Sequence, residues 1–131
     1  SLTTCGNQRA QFIAQTLSQA KIQTIYSSDY NRTLQTAEPL ANSTALKVKR
    51  YDPRDLASIA KQVKDKKHNA LVVGHSNTTP QLTALLSQQT VSSITEAEYQ
   101  MLYQVTFIGE QAVLNILKQP FSCQNFNSQK L

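Results

Sequence analysis

The chain has 131 residues, enough for one domain with a core, and its apolar fraction of 40% is globular. No apolar run approaches the roughly 20 residues needed to cross a bilayer, which excludes a helical membrane span. The formal charge of +5 suits anionic partners, but the basic residues are scattered apart from Lys61, Lys64, Lys66 and Lys67. That cluster reads as a solvated helix end, so no nucleic-acid partner is expected.

In chain order, residues 3–20 carry a helical stripe of Ala10, Ile13, Ala14 and Leu17, with Thr3 or Thr4 as its N-cap. "TIYSS" (24–28) reads as a strand. Asp29 is placed to cap a helix over 30–41, with Leu34, Ala37 and Leu40 inward, and Pro39 predicts a bend or an early end. "LKVKRY" (46–51) alternates like an edge strand. "DPRDLASIAKQVK" opens a helix on Asp52 and Pro53, with Leu56, Ile59, Ala60 and Val63 on its buried face. "ALVVG" (70–74) is apolar throughout, the pattern of a strand covered on both faces. "TTPQLTALLSQ" is a helix with Pro80 in its first turn. "ITEAEYQM" (94–101) reads as a short helix. "LYQVTFIG" and "QAVLNILK" form a hairpin across Gly109 and Glu110, and a polar tail follows from Pro120.

Alternating helices and strands predict a single domain over 1–131, an α/β sandwich with a mostly parallel sheet and a C-terminal antiparallel hairpin. In such sheets ligands bind beyond the carboxyl ends of the strands. His75 directly follows "LVVG", so it belongs at that edge, and the next helix starts within a few residues. A histidine there either grips a phosphoryl group and moves a proton, or caps the helix. Ser76, Asn77 and Thr78 add polar donors. Arg32 sits in the first turn after "TIYSS", where its guanidinium fork fits two phosphate oxygens; a surface ion pair is the alternative. Asp55 is a candidate general acid or a helix cap. His68 and Glu38 read as solvated, and Tyr26, Tyr99 and Tyr103 as packing residues. Cys5 and Cys123 lack metal-ligand spacing and are either two thiols or one disulfide. No P-loop, dinucleotide fingerprint or metal cluster is present in the sequence.

Three blocks together resemble the histidine phosphatase superfamily, which includes phosphoglycerate mutases and small phosphohistidine phosphatases. "SLTTCGNQRAQFIAQTL" resembles its "LT-x-x-G-x-x-Q/R-A" helix. "IYSSDYNRTLQTAEPLA" is similar to its "I-x-S-S-x-x-x-R-x-x-Q-T-A" block. "LVVGHSNTTPQL" resembles its second histidine motif, and "YDPRDL" a connection in small members. The resemblance extends to about Val113. It implies a three-layer α/β/α sandwich and a phosphatase acting on a phosphate monoester or phosphohistidine through a phosphohistidine intermediate, with no cofactor and no metal. By the same resemblance Arg32 clamps phosphate, His75 stabilises the transferring phosphoryl group, and Asn77 donates from the rim. The general acid in this family is often a Glu after the second strand, where this sequence offers Asp52 and Asp55.

The resemblance also implies an "R-H-G" or "R-H-A" nucleophile on a strand before the first helix. The sequence starts at "SLTT", so that strand is expected upstream of Ser1, lying in the sheet between "TIYSS" and "ALVVG". Vacating that position predicts strands holding Ile25 and Val72 about 9–10 Å apart, twice the neighbour spacing. The alternative functions are a non-catalytic phosphate-binding module and, more remotely, a basic nucleic-acid domain. Localisation stays open between cytoplasm and bacterial periplasm.

Overall fold

A computed structural model describes residues 3–92 and 101–119. The elements are α1 (Thr4–Thr16), β1 (Thr24–Ser28), α2 (Asn31–Thr44), β2 (Val48–Tyr51), α3 (Leu56–Lys66), β3 (Ala70–Val73), α4 (Thr79–Ser87), β4 (Met101–Ile108) and β5 (Gln111–Lys118). The helix expected over 94–101 lies outside the described residues except for Met101, which opens β4. Tyr99, Cys123 and the tail from Pro120 also lie outside them.

The parallel sheet has the order β2-β1-β3, and β4 and β5 form a separate antiparallel pair. Strand side chains alternate in direction, which divides the core into two layers. On one face Ile25, Val48, Leu71 and Val73 pack with Ala14, Ala37, Leu40 and Ala41 of α1 and α2. On the other face Tyr26, Tyr51, Ala70 and Val72 pack with Ile59, Ala60 and Leu82 of α3 and α4. This is the expected three-layer sandwich. Ile25, Leu40 and Ile59 are almost fully buried, and each contributes roughly 1.5–3 kcal/mol of apolar burial.

The expected gap in the sheet is absent. Ile25 pairs directly with Leu71, and Tyr26 with Val72, in one continuous parallel ladder. β1 satisfies its other edge against β2, from Ile25↔Val48 to Ser28↔Tyr51. No strand separates β1 from β3, and the sheet order lends no support to a missing interior strand at that place.

β3 has both faces covered as expected, Leu71 and Val73 by one layer and Ala70 and Val72 by the other, yet it is only half-buried, because among the described residues no strand pairs with its second edge. Three local expectations are also corrected. α1 ends at Thr16, with Leu17 as its C-cap, although Thr3 is the N-cap as expected and its Oγ1 accepts from the Gly6 amide at 3.1 Å. α2 runs through Pro39 to Thr44; its C-terminal carbonyls gain hydroxyl donors, with Thr44 Oγ1 on Leu40 O at 2.7 Å. Asp52 and Pro53 form a turn before α3 rather than its first turn, and Asp55 is the N-cap. Cys5 is fully buried and disulfide-bonded, which resolves its side of the thiol-or-disulfide question.

Candidate functional site

Chain direction creates the site. After β1 the chain turns into α2 on one face of the sheet, and β2 pairs at one side of β1. After β3, on the other side of β1, it turns into α4 on the opposite face. The loops leaving β1 and β3 therefore diverge, and the crevice between them is the topological switch point of the sheet. Ser28 ends β1, and Gly74 and His75 follow β3, so both borders of the crevice carry polar groups.

Gly74 is required by close packing. A Cβ there would lie 2.7 Å from Tyr51 Oη and 3.1 Å from Thr78 Oγ1. Tyr51 reaches across from the end of β2 and donates its hydroxyl to Val73 O at 3.1 Å. Burial pushes the Tyr51 phenol up to about 12, so it is a neutral donor at ordinary pH. Its hydrogen bond holds the end of β3, and with it the approach to His75.

The His75 backbone is fixed by the start of α4. Its amide donates to Thr78 Oγ1 at 3.1 Å, and its carbonyl accepts from the Thr78 and Thr79 amides at 3.0 and 2.9 Å. Pro80 in the first turn has no amide to leave unsatisfied. The His75 ring is held separately. Nε2 lies 2.9 Å from Ser28 Oγ. The Tyr30 ring meets the imidazole edge-on, with centroids 5.1 Å apart and planes at 90°. Burial, and then the positive charge of Arg32, hold His75 below the usual imidazole range, so the ring is neutral at pH 7.

Arg32 lies exposed in the first turn of α2, and among the described residues its guanidinium has no ion pair. Asn77 is exposed in the turn that enters α4. Asp55 is engaged elsewhere: it accepts from the Ser58 amide at 3.2 Å and from the Ser58 hydroxyl at 2.8 Å. Asp52 is held below the usual carboxylate range by hydrogen bonds from the Arg54 backbone and side chain, which disfavours it as a proton donor at neutral pH. Asp29 does not cap α2. It pairs with Arg50 of β2 at 2.9 Å, and Tyr30 takes the N-cap position without a side-chain cap bond. His68 is exposed just before β3, at the opposite end of that strand from His75.

Sequence reasoning missed Ser28, Tyr30, Thr33 and Tyr51 at this edge. Ser28 was visible as the last residue of a buried strand at the ligand-binding edge. Thr33 follows Arg32 directly, and its Oγ1 lies within hydrogen-bond distance of Ser28 Oγ, Ser28 O and Tyr30 O. Tyr51 carried no signal, because its reach to Val73 depends on the strand order.

Residues 1–54 match the family model of the histidine phosphatase superfamily (branch 1). No curated protein matches the sequence. Solved structures share the fold at low identity. "Mycobacterial hydrolase 1" aligns with a TM-score of 0.72 at 14% identity, covering 91% of this chain and 86% of that one. The native mycobacterial glucosyl-3-phosphoglycerate phosphatase aligns with a TM-score of 0.67 at 16% identity, covering 94% and 89%. The same phosphatase in complex with inorganic phosphate gives 0.68 at 14%, covering 90% and 87%. The likeness to the histidine phosphatase superfamily carried by the sequence blocks is therefore borne out by the family model over residues 1–54, and in fold by solved structures along most of the chain.

Proposed function

We propose that this chain forms the phosphoryl-binding body of a phosphatase of the histidine phosphatase type, acting on a phosphate monoester or phosphohistidine. The observation that carries the reading is the layout of the switch point: the His75 ring is fixed against Ser28 where β3 ends, and Arg32 lies exposed, without an ion pair among the described residues, in the first turn of α2 after β1. The family match over residues 1–54 supports it, as does a fold neighbour solved with inorganic phosphate.

In this reading Arg32 clamps two phosphoryl oxygens with its guanidinium fork, and Asn77 donates from the rim. His75 takes up a proton as the anion arrives, because a nearby dianion favours the imidazolium over the neutral ring. It then donates to the oxygen that gains charge during transfer. An imidazole nucleophile attacks phosphorus, the leaving oxygen departs with a proton, and water later cleaves the phosphohistidine. Asp55 is the proposed proton donor, a role that requires it to release Ser58. His68 lies at the wrong end of β3 for attack, so the nucleophile is proposed to come from a segment upstream of Ser1. The direct β1–β3 ladder leaves no slot for that segment between those two strands; the chemistry is what asks for it.

The test combines binding and turnover. Titration calorimetry with inorganic phosphate should show binding that weakens roughly 10- to 100-fold in His75→Ala, the loss of one charge-assisted hydrogen bond, and by at least as much in Arg32→Ala, which loses the two of the guanidinium fork. The chain alone should not turn over p-nitrophenyl phosphate. Phosphate affinity unchanged in both variants overturns the reading. Turnover by the chain that His75→Ala abolishes overturns the assignment of the nucleophile.

A further inference from the structure

The hydrogen bonds around Ser28 constrain His75 beyond its proposed contact with phosphate. Four short contacts meet there. His75 Nε2 lies 2.9 Å from Ser28 Oγ. Ser28 Oγ lies 2.8 Å from Thr33 Oγ1. Thr33 Oγ1 lies 2.9 Å from Ser28 O and 3.0 Å from Tyr30 O. Each hydroxyl has one proton, and the two carbonyls have none.

If Ser28 donates to Nε2, its contact with Thr33 needs the Thr33 proton. Both carbonyls then face the lone pairs of Thr33 Oγ1 at hydrogen-bond distance with no proton between. If Thr33 instead donates to a carbonyl, Ser28 donates to Thr33 and Nε2–H donates to Ser28. Three of the four contacts then hold a proton, against two in the first arrangement. Ser28 O already accepts from the Tyr30 amide and the Ser27 hydroxyl, and Tyr30 O from the Leu34 amide, so neither arrangement leaves a carbonyl without a donor; what the first arrangement forfeits is one proton-bearing contact between groups buried from water.

We infer that Ser28, oriented by Thr33, is a positioning residue that holds neutral His75 as the Nε2–H tautomer, so that the ring meets its ligand through Nδ1. Among the described residues Nδ1 has no hydrogen-bond partner. The edge-on Tyr30 ring limits rotation about the same axis. The polarity of the chain runs from the imidazole through two hydroxyls to backbone carbonyls of the β1–α2 turn, which ties the ring to the element that carries Arg32. The role given to Nδ1 rests on the proposed phosphoryl-binding function; the tautomer does not.

The experiment is long-range 1H–15N correlation NMR on the ligand-free, 15N-histidine-labelled chain, above the pKa of His75. Exposed His68 serves as the internal reference for an unconstrained ring. His75 is expected to show a pyrrole-like Nε2 and a pyridine-like Nδ1. Thr33→Ser keeps the hydroxyl and should keep that pattern. Thr33→Val removes the acceptor for the buried Ser28 proton, which should turn to Nε2 and shift the ring to mainly Nδ1–H. An Nδ1–H ring in the unaltered protein overturns the inference without any variant. A Thr33→Val spectrum identical to that of Thr33→Ser also overturns it. A titration with inorganic phosphate then separates the two readings. Perturbation centred on Nδ1 supports the assigned direction. A fixed Nε2–H tautomer with no response to phosphate leaves the relay standing and counts against the phosphoryl-binding function.

Discussion

Replacing Gly74 by Ala tests whether the β3 terminus is held by close contact or by loop preference. The added Cβ would stand 2.7 Å from Tyr51 Oη, a distance at which something must move. The hydroxyl is the group able to move, and doing so breaks its 3.1 Å bond to Val73 O. Overpacking of this kind costs about 1–3 kcal/mol. Tyr51→Phe alone removes the hydrogen bond and should cost roughly 0.5–1.5 kcal/mol. The two changes address one contact, so they should not add. In the Tyr51→Phe background the obstructing oxygen is gone, and Gly74→Ala should cost about 1 kcal/mol less than in the native chain. Urea denaturation of the four proteins measures this, provided the m-values agree. Additivity within about 0.3 kcal/mol would show that Tyr51 and Gly74 do not share a contact, and the account of how β3 positions His75 would lose its anchor.

Stability should also fall as pH rises from about 10 towards 12, because the Tyr51 phenol is raised to about 12 in the fold and must stay neutral there. Its contribution is complete below the unfolded pKa, and Tyr51→Phe should lack this alkaline decline in a pH series of thermal melts. Ala45→Gly should stabilise the chain by up to about 1 kcal/mol, since exposed Ala45 ends α2 at φ 58°, a left-handed conformation that suits glycine; chemical denaturation reads the change. Leu40→Ala should cost about 2–5 kcal/mol in the same assay, because Leu40 is fully buried in the layer between α2 and the sheet.

The layers were legible because they follow from local periodicity. Ile25 and Tyr26 point to opposite faces, and the stripes of Ala37 with Leu40 and of Ile59 with Ala60 each complete one of them. The junctions carrying Arg32 and His75 were legible for the same reason, since a strand that ends before a helix fixes where its next residue lies. Strand order was not legible. Whether β1 touches β3 depends on pairing between residues more than 40 positions apart, and a gap imagined between them was replaced by a direct ladder. Caps were misread where two acceptors competed. Asp29 had an exposed Arg50 across the β1–β2 pair and took it in place of the α2 amides. Asp52 closed a turn with Arg54, leaving Asp55 to cap α3. Pro39 did not stop α2, whose inward face continues beyond it at Leu40 and Ala41. Ser28 and Thr33 were hidden because serine and threonine at a strand end are common, and only their spacing to His75 Nε2 and to each other gives them a role.

The central claim is that one anion is held jointly by Arg32 and His75 where β1 and β3 end. A crystal structure of the chain with inorganic phosphate or vanadate tests it directly. The account predicts density at that crevice, with the Arg32 guanidinium and His75 Nδ1 both within about 2.7–3.1 Å of anion oxygens and Nε2 still on Ser28. An anion bound only elsewhere, or one that meets Arg32 while His75 points away, would contradict it.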